Sequence, residues 1–296
     1  MLAVIGGTGV YSLDSVSDGK LAGATKQAES NKGELQGLVN LGQEAVETEY
    51  ATQPVYVQRY GGGKGSEGEG ECLFLARHGG DHSIPPHLIN YRANIDALRR
   101  MGARRILAVN AVGGIHSNLA PGSFAVPDQI IDYTYGREHT FNLGNHGDAI
   151  EQQTHSPMEQ VGVLHIDFTN PYSEPMRQSV LNAAREAIKT NTTLTGTGSS
   201  PYLMDGGVYG CTQGPRFETA AEIKRMKTDG CDMVGMTGMP EAALAREVGL
   251  DYASLCMSVN WAAGLSDENL TLDSMWGVMK LGKGIVIDTV AALWND

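Results

Sequence analysis

The stretch DMVGMTGMPEAALAREVGLDYASL, residues 232–255, reads in one pass as strand, turn, helix and strand. Residues 233–236 form a short apolar run of the length of a buried strand. Pro240 sits at a first helical position, where its missing N–H costs nothing, and Gly249 closes the helix. A second apolar run follows at once and continues through YASLCMSVNWAAG, residues 252–264. Strand–helix–strand at this spacing is the repeating unit of a wound α/β sheet.

The same alternation extends outward. Strands are expected over 2–5, 53–60, 71–76, 105–109, 124–131 and 208–212. Helices are expected over 87–101, 175–189, 217–227 and 272–293, from apolar spacing near 3.6 residues and closing glycines. Polar, glycine-punctuated segments near 15–45, 61–71, 142–160 and 190–205 read as loop insertions. No linker-like break divides the 296 residues. The fold class is therefore α/β, and the expected organisation is a single domain, 1–296, carrying those insertions.

Composition narrows the function. Thirty-four Asp and Glu against 22 Lys and Arg give a net charge of −12, a poor basis for general nucleic-acid binding. One local anion site remains compatible with that charge. The four cysteines, Cys72, Cys211, Cys231 and Cys256, are widely spaced in apolar surroundings, as expected of reduced, buried residues. The start of the sequence has no basic region and too short an apolar run for a signal peptide, and no later stretch is long enough to span a bilayer. These features point to a cytoplasmic protein with no membrane partner and no nucleic-acid partner.

In open α/β sheets ligands gather at the carboxyl ends of strands. Five such ends carry unusual residues. After the first strand stands GGTG, residues 6–9, where backbone N–H groups can approach an anion and Thr8 adds a hydroxyl; a plain turn is the alternative. A dinucleotide fingerprint is incomplete there, because no acidic ribose ligand closes the second strand. ARHGGDHSIPPH, residues 76–87, offers Arg77 as a bidentate anion donor and His78 as a titratable donor. Each read alone fits a surface arginine or a satisfied histidine. Three histidines (His78, His82, His87) lack a thiolate or carboxylate cluster, so no metal is expected. Thr237 precedes a helix N-terminus, where an anion is favoured and where a threonine also caps. Met236 is either core or the floor of a pocket for a flat base.

Taken together, IGGTG, ARHGGDHSIPPHLINYRANIDALRRMGA, VNAVGGI, PGSFAVPDQIIDYT, CTQGPRFET and the opening stretch resemble, in this order, the trimeric purine nucleoside phosphorylase superfamily. The resemblance is to its 5′-methylthioadenosine and S-methyl-5′-thioinosine phosphorylase branch. It implies a central mixed, partly barrel-like sheet flanked by helices, and a homotrimer with sites at subunit interfaces. It implies phosphorolysis with orthophosphate as co-substrate and no metal or organic cofactor. Thr8, Arg77, His78, Asn110, Ala111 and Thr237 would hold phosphate. Phe217 and Met236 would flank base and ribose, and His165 would reach a neighbouring subunit's 5′ group. Leu272 and Met275 would line the methylthio pocket, with simple packing of their helix as the alternative.

The branch that prefers adenosine carries an Asp-x-Asp pair where this sequence has Asn260, Trp261 and Ala262. A 6-oxopurine presents two acceptors on its N7/O6 edge, whereas adenine presents one acceptor and an amino donor. A carboxylate repels O6; a carboxamide NH2 donates at any pH. Asn260 therefore favours methylthioinosine as the purine edge contact and catalytic donor, although a carboxamide also pairs with adenine N6 and N7. The alternatives are 5′-methylthioadenosine phosphorylase, a broader purine nucleoside phosphorylase, and, from another class, a noncatalytic nucleoside-binding protein. A nicotinamide-dependent oxidoreductase is a remote third alternative, suggested by GGTG and opposed by its incomplete fingerprint.

Overall fold

The organising strand is β5 (Arg105–Gly114), buried along nearly its whole length. On one side it pairs in parallel with β1 (Leu2–Gly6), and on the other with β11 (Asp251–Trp261). Beyond β1 the sheet runs through β4 (Cys72–Ala76) and β3 (Val55–Gly61) to an edge strand, β2 (Val39–Val46). The far half of β5 meets β10 (Met233–Gly235) antiparallel, and from there the order continues to β9 (Val208–Cys211) and β7 (Gln129–Asp132). A branch off β11 adds β6 (Phe124–Val126) and β8 (Leu203–Asp205). The result is an 11-stranded mixed sheet in a computed structural model that describes residues 1–10, 12–13, 39–62, 70–142, 164–191, 201–267 and 271–294.

Helices cover both faces, which is why the central strands are apolar throughout rather than alternating. Successive side chains of β1 point to opposite faces. Ala3 and Ile5 join the core under α1 (Tyr91–Arg100) and α4 (Glu241–Glu247). Leu2 and Val4 join the core under α2 (Glu174–Thr190) and α5 (Leu272–Trp294). The fifth helix, α3 (Ala220–Asp229), covers a smaller cluster of Ile115, Ile223, Val234 and Ala262. Among the described residues no helix is long and apolar enough to cross a membrane.

Several elements differ from the sequence expectations, each for a physical reason. Residues 39–46, read as part of a loop insertion, form β2; this edge strand is exposed on both faces and so carries no apolar alternation. The strand expected over 124–131 breaks into β6 and β7 around Pro127, which has no N–H for the ladder. The helix expected from residue 87 begins at Tyr91, capped by the Asn90 side chain, which accepts from the Ala93 N–H at 3.0 Å. A single 3-10 turn, Pro86–Leu88, precedes it. The helix expected from Phe217 begins at Ala220, because Thr219 and Glu222 form a capping box. Residues 203–205, inside another expected insertion, form β8. The remaining parts of the insertions, 14–38, 63–69, 143–163 and 192–200, lie outside the described residues.

Candidate active site

The register of the parallel strands aligns Gly6 with Ala76 and Ile5 with Ala108. The residues just beyond that level are Gly7 and Thr8, Arg77 and His78, and Asn110 and Ala111. Asn110 and Ala111 belong to β5 itself, which runs five residues past its expected end. β10 arrives from the opposite direction, with Val234 opposite Gly113. Its continuation therefore carries Thr237 back to the level of Asn110, and the Thr237 hydroxyl donates to Asn110 Oδ1 at 2.9 Å. Five of the six residues expected around phosphate meet here through strand register alone, and Arg77 lies beneath them.

Gly7 has to be glycine because β1 and β5 close on it. A methyl group there would lie 2.5 Å from the Val109 carbonyl and 3.0 Å from Arg77 Nη1. The GGTG segment is thus a tight turn, closed by the Val10 N–H on the Gly7 carbonyl at 3.1 Å, and Thr8 is half-buried at its tip.

Arg77 lies beneath this group. Its Nε donates to Glu241 Oε2 at 3.0 Å and Nη2 to Glu241 Oε1 at 2.8 Å, in a fully buried bidentate pair. Nη1 donates to the Val109 carbonyl at 2.9 Å and to Asn110 Oδ1 at 2.8 Å, and Nη2 also faces the Ile5 carbonyl at 3.5 Å. All five N–H groups meet protein acceptors. Glu241 also accepts from the Tyr252 hydroxyl at 2.9 Å, and burial pushes that phenol well above its ordinary range. Glu241 stands in the first turn of α4, where the helix favours a carboxylate.

Asn110 is wired into the same network. Because a guanidinium can only donate, Asn110 must turn Oδ1 to Arg77 and its NH2 to Ser254 Oγ, at 2.5 Å. Arg77 and Asn110 thus form the rigid floor of the site.

His78 stands beside Arg77 at the end of β4. Its Nδ1 lies 2.8 Å from the Ile84 carbonyl, so Nδ1 carries the proton. Burial pushes the imidazole down to about 4, with Arg77 and His82 adding to the effect. At neutral pH the ring is uncharged and Nε2 is an acceptor, not a donor.

The other end of the site is built differently. Asn260 is opposite Gly113, three residues along β5 from Asn110, or about 10 Å. A bulge between Ser258 and Asn260 shifts the register there and re-aims the strand end. Asn260 is half-buried, and its Nδ2 donates to the adjacent Trp261 carbonyl at 2.7 Å. Trp261 is half-buried, while Ala262 is packed into the core with Ile115 and Val234. Met236 is half-buried against the 214–215 turn, and Phe217, 39% exposed, lies on the loop before α3.

Three expected residues lie on other elements. His165 is exposed on the segment leading to α2, and Leu272 is exposed at the start of α5. Met275 packs into the core with Met257 and Met279, which favours the simple packing reading. Two residues were missed. Glu241 had a faint signal, an acidic residue directly after Pro240. Arg137 had none: it donates to the carbonyls of Thr212, Gln213, Met236 and Met239, tying the Phe217 loop to the Met236 turn.

Comparison with known proteins places the chain in a family. Residues 29–283 match the family model of the phosphorylase superfamily. A probable S-methyl-5′-thioinosine phosphorylase of Xylella fastidiosa is 44% identical over 268 residues, 90% of each chain. The 6-oxopurine nucleoside phosphorylase of Pyrococcus furiosus is 38% identical across 98% of this chain and 91% of its own. Among solved structures, a methylthioadenosine phosphorylase from Schistosoma mansoni in complex with adenine superposes with a TM-score of 0.76 at 30% identity, covering 99% of this chain and 90% of that one. The chain belongs to the phosphorylase superfamily.

Proposed function

We propose that this protein catalyses the reversible phosphorolysis of a 5′-methylthio purine nucleoside, yielding the free purine and 5-methylthio-ribose 1-phosphate, with methylthioinosine preferred. The observation that carries the reading is the arrangement along β5. An anion-sized cluster of Thr8, His78, Ala111 and Thr237 lies at one level, and the Asn260 carboxamide lies about 10 Å further along the same strand. Such a span suits a ribose between phosphate and base.

The chemistry follows from charge. An oxygen of orthophosphate forms a bond to C1′ as the C1′–N9 bond breaks, and the electron pair passes into the purine. The sugar is cationic in the transition state, so a phosphate desolvated and fixed beneath C1′ stabilises it. The Thr8 hydroxyl and the turn backbone hold the phosphate, and the Thr237 hydroxyl joins them by turning its proton from Asn110 Oδ1 to the anion. His78 Nε2 accepts a hydrogen bond from a protonated phosphate oxygen or a ribose hydroxyl. Arg77 acts from below by fixing Asn110 and Thr237. Asn260 donates to N7 as negative charge develops there, without giving up its proton. Phe217 and Met236 flank base and ribose.

Orthophosphate is a co-substrate, and the reaction needs no metal or organic cofactor. The active form is a homotrimer in which the exposed His165 reaches the 5′ group in a neighbouring copy's site. A preference for 5′-methylthioadenosine is the second reading, supported by the two-way hydrogen bonding of a carboxamide.

The test is purine release with and without orthophosphate, comparing kcat/KM for methylthioinosine, methylthioadenosine and inosine. Phosphate-dependent release led by methylthioinosine is expected. No turnover of any nucleoside with phosphate would overturn the class, and a wide margin for methylthioadenosine would overturn the base assignment.

A further inference from the structure

We infer that Arg137 is a positioning residue for the departing base: its guanidinium fixes the segment that carries Phe217 against the turn that carries Met236 and Thr237. This inference rests on the phosphorolysis reading. Arg137 follows β7 on an irregular segment and is half-buried. Its Nη2 donates to the Thr212 and Gln213 carbonyls at 3.2 and 2.8 Å, where the chain leaves β9 toward Phe217. Its Nη1 donates to the Met236 and Met239 carbonyls at 2.9 and 2.5 Å, on the turn between β10 and α4. Nε donates to Gln213 Oε1 at 3.1 Å. The Tyr91 hydroxyl accepts from Nη1 at 3.1 Å and itself donates to the Pro86 carbonyl at 3.0 Å, which ties in the segment before α1.

The character of these partners sets the role. They are main-chain carbonyls, a carboxamide and a phenol, while the adjacent Glu138 pairs with Arg92 at 3.3 Å. An arginine that spends its donors on the carbonyls of two loops clamps backbone to backbone instead of completing an ion pair. The two loops depend on it unequally. Thr237 is also anchored from the far side, by Asn110 at 2.9 Å. The pairing of β9 with β10 ends at Cys211 and Gly235, and the Thr212 N–H reaches the Gly235 carbonyl at 2.8 Å. Past that point, among the described residues, the hydrogen bonds joining 213–218 to the 236–239 turn run through Arg137. The two loops also touch: a methyl group at Gly214 would lie 2.6 Å from the Met236 sulfur. Loss of the guanidinium therefore loosens the wall beside base and ribose and leaves the phosphate end held. Rate depends on how closely C1′ is aligned over phosphate, so that loosening costs turnover. A lysine does not replace the clamp, because one ammonium is a point donor and a fork spans two pairs of carbonyls.

Steady-state kinetics on the full chain test this in wild type, Arg137→Met, Arg137→Lys, Phe217→Ala and the double variant Arg137→Met/Phe217→Ala. Arg137→Met is expected to lower kcat/KM for methylthioinosine about tenfold or more, with KM for phosphate within about threefold of wild type. Arg137→Lys should stay at least about fivefold below wild type, because charge alone does not restore the fork. In the Phe217→Ala background the Arg137→Met loss should shrink to less than about threefold, since the two residues act through one another. If Arg137→Met unfolds in urea well before wild type, the same cycle is run with Arg137→Lys. An equal loss in both backgrounds marks a merely structural arginine and overturns the inference, as does a loss that falls mainly on KM for phosphate. Should no nucleoside turn over with phosphate, the readout is binding of free hypoxanthine by titration calorimetry. Binding at least about fivefold weaker in Arg137→Met than in wild type then supports this inference and overturns the phosphorolysis reading. Equal binding by the two, or none by wild type, overturns this inference as well.

Discussion

The two ends of the site are built on the same strand to opposite designs. At the Asn110 end the floor is buried and paired: Arg77, Glu241, Asn110, Thr237, Ser254 and Tyr252 form one hydrogen-bond network. At the Asn260 end the strand bulges, the carboxamide donates to its neighbour's carbonyl, and Phe217 stands 39% exposed. The first end is preorganised and cannot change one member without orphaning another. The second can exchange a side chain without disturbing the core. The chemistry common to a family belongs at the closed end, and discrimination between purines belongs at the open one.

The largest effect should come from breaking the closed end. Glu241→Gln leaves the buried Arg77 charge without its counter-ion and is expected to cost about 3–5 kcal/mol of stability, read from urea unfolding. The double variant Arg77→Met/Glu241→Leu should recover much of that loss, because neither buried charge remains. A cost under about 1 kcal/mol for Glu241→Gln would show that the network is not closed as described.

His78 offers a pH test of the same end. Its folded-state value of about 4 lies below the ordinary 6.5, so the folded protein binds fewer protons than the unfolded chain between those values. The associated stability is complete above pH 6.5 and is lost as pH falls through about 4. The depression corresponds to roughly 3 kcal/mol at most. Wild type minus His78→Gln, compared by unfolding between pH 4 and 7, should show that slope; a flat difference would contradict the buried neutral ring.

At the open end the effects should be smaller and confined to substrate. Phe217→Ala should change stability by less than about 0.5 kcal/mol. It should raise KM for the nucleoside by about three- to tenfold, the worth of one aromatic contact. A large loss of stability would place Phe217 in the core rather than at the edge of a binding face.

The difference between the ends also explains what could be read from sequence. The wound sheet was legible because its central strands are buried on both faces, and because Pro240 and Gly249 punctuate the helix between β10 and β11. The edge strand β2 was not, because an exposed strand leaves no apolar period. Thr8, Arg77, His78, Asn110 and Thr237 could be grouped as strand-end residues. The bonds among them could not, because Arg77 and Glu241 are separated by 164 residues and only the antiparallel arrival of β10 brings them together. The partner of the Arg77 charge, Glu241, could therefore not be read from the sequence. Asn260 was more legible, since its oddity in an apolar run depends on no distant partner.

The division between a closed anion end and an open base end is tested most directly by Asn260→Asp. Steady-state kcat/KM would be measured for methylthioinosine and methylthioadenosine, with KM for phosphate determined alongside. The methylthioinosine-to-methylthioadenosine ratio is expected to fall by about tenfold or more, since a carboxylate repels O6, while KM for phosphate stays within about twofold. An unchanged ratio, or a shift that falls mainly on phosphate, would contradict the division.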